Sequence, residues 1–73
     1  SESSPYIQVA SFRTDKYASK EMQRLQSNGY QPFTLKWGKY RVVCVGGYND
    51  PEEAKQALKQ LKKVYADCIL RKK

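Results

Sequence analysis

Histidine is absent from this 73-residue chain. That removes the commonest general base and the commonest metal ligand. Cysteine is reduced to Cys44 and Cys68, too few for a zinc site without further ligands, so no metal and no cofactor is expected. No apolar run nears the ~18 residues that a membrane span requires, and no signal-peptide pattern is present. Membrane insertion by this chain is therefore not expected. Acidic residues are scarce, with 7 Asp+Glu against 14 Lys+Arg and a net charge of +7. The chain does not begin with Met, so it is expected to be a module of a longer protein, with any targeting segment lying in the parent. Its length allows one small domain with a thin core, because so short a chain buries only about 60 % of its unfolded surface.

What is present is enough to fold. Hydrophobic residues make up 40 %, and six of the aromatic residues are Tyr, so wholesale disorder is excluded. The two halves of the chain resemble each other. Ile7-Gln8-Val9-Ala10-Ser11-Phe12 lies over Val43-Cys44-Val45-Gly46-Gly47-Tyr48, and Ala18, Met22 and Leu25 fall on Ala54, Leu58 and Leu61. Each half opens with period-2 alternation and continues with helical spacing.

The first strand is predicted over about Tyr6 to Phe12. Thr14 or Asp15 caps a helix whose apolar stripe is Ala18, Met22 and Leu25, and Asn28-Gly29 stops it. A second strand, about Tyr30 to Leu35, contains Pro32 and so belongs at a sheet edge. Lys36 to Lys39 reads as a hairpin turn around Gly38. The third strand runs from Tyr40 to Val45. Asp50 caps the second helix, Pro51 takes its first position, and Ala54, Ala57, Leu58, Leu61, Val64 and Tyr65 form its buried stripe. A last strand covers about Asp67 to Arg71. This is the ferredoxin-like βαββαβ order of an α+β fold, a four-stranded antiparallel sheet with two helices on one face. Residues 1–5 read as a linker or tail, and residues 6–71 as the domain.

Parity sets the faces. Ile7, Val9, Val43 and Val45 meet the helices, leaving Tyr6, Gln8, Ala10, Tyr40, Val42 and Cys44 on the other face. Tyrosine rings beside a hydrogen-bonding amide suit a planar polar ligand with apolar faces, such as a sugar ring or a nucleobase. The same residues also suit a merely solvated sheet face.

Tyr6-Ile7-Gln8-Val9-Ala10-Ser11-Phe12 resembles the opening of the SPOR domain, the sporulation-related repeat. Tyr40 to Tyr48 resembles that family's third strand, and Glu52-Glu53-Ala54 its second helix start. The resemblance implies binding to the glycan strands of bacterial peptidoglycan, with preference for strands denuded of stem peptides. It implies the cell envelope, periplasm or wall, at the division septum, with targeting by parts of the parent outside this chain. By resemblance, Gln8 and Ser11 hydrogen-bond the sugar and Tyr40 stacks on it. Tyr6 and Val42 share that face. Val42 stands where many members carry Arg, and the neighbouring Arg41 has helix-side parity. Strict alternation also turns Ser11 to the helix side, so a bulge near Ala10 is required to bring it out. Trp37 either packs against a helix end or sheet edge or touches the edge of the ligand. Arg71 either reaches the face, to meet N-acetyl or lactyl carboxylate groups, or belongs to a solvated terminus. A monomer is expected.

The alternative is an RNA-recognition motif, which has the same layout. Its third strand stacks bases on aromatic residues, where this one offers Tyr40, Val42 and Cys44. Lys16, Lys20, Arg24, Lys55, Lys59, Lys62 and Lys63 are expected on helices, away from the face, so no nucleic-acid partner is expected. Catalysis is not expected either, because Ser11 has no histidine partner and Glu52 and Glu53 complement a helix start. Cys44 faces the open side, and the resembling family places a cysteine at the Cys68 position on the helix side. Their strands lie about 9–10 Å apart, so both thiols are expected to be free.

Overall fold

The computed structural model describes residues 4–72. Strand β1 spans Pro5–Phe12, helix α1 Asp15–Ser27, β2 Gln31–Trp37, β3 Tyr40–Gly46, α2 Pro51–Leu61 and β4 Ile69–Lys72. The strands form one antiparallel sheet in the order β2-β3-β1-β4, which bears out the ferredoxin-like α+β fold. Of the expected tail, residues 1–3 lie outside the described residues, and Pro5 already belongs to β1.

Local chemistry explains each boundary. The Thr14 side chain accepts from the Tyr17 backbone N–H and caps α1. At its other end Gly29 takes φ +90°, Tyr30 N–H donates to Leu25 C=O and Gly29 N–H to Gln26 C=O, the paired bonds of a Schellman stop. Gly38 at φ +59° turns Trp37 back onto Tyr40, as a two-residue hairpin loop demands. Asp50 Oδ1 accepts from Glu53 N–H, and Glu53 Oε1 reaches back to accept from Asn49 N–H, so the start of α2 is tied from both sides.

The main core lies between sheet and helices. Ile7, Val9, Val43 and Val45 pack against Ala18 and Leu25 of α1 and Leu61 of α2, with Cys68 beside them. Two departures from the expected stripe concern α2. The helix ends at Leu61, one turn early, so Val64 is 66 % exposed instead of buried. Tyr65 is half-buried and donates its hydroxyl proton to Glu21 Oε2 of α1. That bond and, above all, burial push its pKa up to about 12.

One irregularity decides which residues face outward. Gln8 pairs with Cys44, but Ala10 pairs with Val43, so β1 carries one extra residue there. A single inserted residue reverses the parity of all that follow. Val9 and Ala10 both face the helix-side core, where Ala10 was expected on the open face, and Phe12 packs there too. Ser11 pairs with Val42 on the open side.

Candidate functional site

Both helices pack on one side of the sheet, so the opposite face is built from strand side chains alone. Its floor is apolar. Tyr6, Val42 and Cys44 form a buried cluster, with Phe33 and Leu35 of β2 packed against it. Tyr6 is 8 % exposed and meets Phe33 edge-on, with ring centroids 5.6 Å apart. Tyr6 and Val42 therefore support the face from below, and neither presents a free surface.

Above this floor stand the exposed groups. Tyr40 and Trp37 are direct cross-strand partners, 44 % and 43 % exposed. Arg71 comes from β4, the opposite edge strand, and its guanidinium carbon lies 5.2 Å from the centroid of the Trp37 ring. Its Nε donates to Gln8 Oε1 at 2.7 Å. Side chains from the two edges thus meet over the middle of the sheet, where Val42 and Cys44 have almost no exposure. Burial pushes the Cys44 thiol up to about 11, against a smaller lowering by Arg71. This thiol is a neutral hydrophobe at ordinary pH. Cys68 lies in the helix-side core, on the other side of the sheet, and both cysteines are free.

The residues expected at the site separate into three groups. Gln8, Ser11, Tyr40, Trp37 and Arg71 come together on the open face. Tyr6 and Val42 lie in its floor. Arg41 faces the other way, and its Nε donates to Asp15 Oδ1 at 2.6 Å, at the start of α1. Sequence reasoning passed over two residues. Arg13, just past β1, sets its guanidinium carbon 5.8 Å from the Tyr40 ring centroid. Ile69 pairs with Gln8 and is 43 % exposed on the same face. Alternation with helix-side Cys68 is the signal that could have found Ile69, whereas no local pattern finds Arg13, because the bulge hides its direction.

The arrangement combines two exposed rings, an amide, a hydroxyl and two guanidinium groups. Among the described residues no set of side chains has the composition of a metal site. The sequence model of the SPOR domain family matches residues 1–72. The chain belongs to the SPOR domain family. SPOR domains are peptidoglycan-binding modules that act in the cell envelope at the division septum. No curated protein and no solved structure matches the chain. Gly47 adopts φ +89° just past β3, a conformation open to glycine and out of reach of proline.

Proposed function

We propose that this SPOR domain binds the glycan strands of peptidoglycan along its open sheet face, with preference for strands denuded of stem peptides. Tyr40 stacks on a sugar ring. Gln8 and Ser11 hydrogen-bond hydroxyl or N-acetyl groups, Trp37 lies against the edge of the strand, and Arg71 meets its polar substituents. Ile69 adds apolar area. The domain acts as a monomeric targeting module without chemistry of its own, and it brings a parent protein to the septal wall.

The observation that carries this reading is the pairing of exposed Tyr40 and Trp37 beside Gln8 and Ser11, on a face that neither helix covers. Rings with polar neighbours match the alternating apolar faces and hydroxyl rims of sugars. The RNA reading fits less well, because β3 holds Val42 and Cys44 buried and offers bases a single ring.

The test is retention of the isolated domain on sacculi treated with an amidase, against untreated sacculi and an RNA pool. Strong retention on treated sacculi, weak retention on untreated sacculi and none on RNA is the expected result. Equal retention by RNA would select the alternative.

A further inference from the structure

Among the described residues the open face carries cations and no anions. Among the described residues no acidic side chain lies on any of the four strands. Arg24 and Arg41 have carboxylate partners, Glu21 and Asp15. Arg13 and Arg71 have none among the described residues, and each rests on an exposed ring instead. Those two rings, Tyr40 and Trp37, are cross-strand neighbours, so the guanidinium groups lie over adjacent platforms. An exposed cation–π contact is worth only about 0.5–1 kcal/mol, so a sugar ring can take the guanidinium's place at little cost. The displaced guanidinium is then free beside the ring, with two N–H donors ready for a planar carboxylate.

We propose that Arg13 and Arg71 read the free lactyl carboxylates of muramic acid, and that this contact is what favours denuded glycan at this site. The inference rests on the glycan-binding reading above. In a strand bearing stem peptides, the lactyl carboxyl is tied up as an amide and carries no charge. Hydrolysis of that amide by an amidase restores a carboxylate on each muramic residue. The denuded strand is therefore a polyanion with its charges close to the sugar rings, and the uncleaved strand keeps its charge out on the peptides. A face with stacking rings flanked by guanidinium groups that have no carboxylate partner among the described residues distinguishes the two by charge as well as by bulk.

The test uses soluble glycan oligosaccharides from amidase-treated sacculi in two forms, one with free lactyl carboxylates and one capped as methylamides. A neutral chitooligosaccharide is the third probe. Trp37 is the sole tryptophan, so its emission reports occupancy of the face. The expected result is roughly tenfold weaker binding of the capped form, the combined effect of two exposed ion pairs. Binding of the acid form weakens as salt rises, and binding of the capped form does not. The double variant R13Q/R71Q binds the acid form as weakly as the capped form and loses the salt dependence. Equal affinity for acid and capped forms, or an acid-form affinity unchanged in R13Q/R71Q, overturns the proposal while leaving glycan binding in place. Failure of all three probes to bind overturns the glycan reading itself.

Discussion

Ser11 stands directly across from Val42, on the side of the sheet that the helices leave uncovered. The extra residue in β1 puts it there, since Val9 and Ala10 both turn to the helix-side core. Without the bulge, the serine hydroxyl would point into apolar packing with no polar partner to receive it, a costly arrangement. The bulge therefore settles two matters together: it keeps the core apolar and it brings a hydroxyl to the open face.

Ser11 is exposed and contributes no core contact. The Ser11→Ala variant is expected to stay within about 0.5 kcal/mol of the parent in urea unfolding and to bind sacculi less well. A stability loss of several kcal/mol would mean that the serine faces inward.

Tyr40 and Gln8 should carry binding without carrying the fold. In the Gln8→Ala/Tyr40→Ala variant, sacculus retention is expected to fall at least tenfold, while far-ultraviolet dichroism and the unfolding midpoint stay near those of the parent. Undiminished retention by this pair would show that the ligand lies elsewhere.

Arg41 serves as a contrast. Its guanidinium is engaged with Asp15 on the helix side, in a pair exposed enough to be worth at most about 1 kcal/mol. Arg41→Ala is expected to lower stability slightly and to leave glycan binding unchanged. The side-by-side pull-down with Arg71→Gln, which should weaken binding, tests the assignment of faces.

Leu61 is 2 % exposed between α2 and the sheet, whereas Leu58 is only partly buried. Leu61→Ala is expected to cost about 2–5 kcal/mol through the cavity it leaves, and Leu58→Ala clearly less. Denaturant midpoints measured together would decide the order, and the reverse order would contradict the packing.

The thiols predict an alkaline limit. Burial raises the Cys44 pKa from 9.0 to about 11, and the Cys68 pKa rises for the same reason. In the unfolded chain the thiols ionise near pH 9, while in the folded domain they hold their protons. The unfolded state therefore binds fewer protons between about pH 9 and pH 11, and stability falls across that window. Below it the contribution is fully present. Urea unfolding across this range should show the decline, and Cys44→Val should make it shallower. Consistently, both thiols should resist alkylation in the native domain and react in denaturant, which intact mass reads directly.

Much of this was legible in residue order alone. Alternation, caps and turn residues depend on neighbours a few positions apart, and so βαββαβ, the edge position of the Pro32 strand and the cap at Asp50 follow from the chain itself. Tyr40 and Gln8 were equally readable, because each lies on a strand with unbroken parity up to that point. The early end of α2 was not readable, since Val64 keeps helical spacing with Leu61 and only packing decided that it turns into solvent. Tyr6 had the parity of the open face, but whether a ring stands up or lies down depends on Phe33, two strands away. The direction of Ser11 and Arg13 depends on the register between β1 and β3, and that of Arg71 on Gln8 and Trp37 from two other strands. Local periodicity determines the elements and their faces. Which side chains rise from a face, and which cover one another, is decided by contacts between strands distant in sequence, where one inserted residue is enough to turn a side chain to the other side.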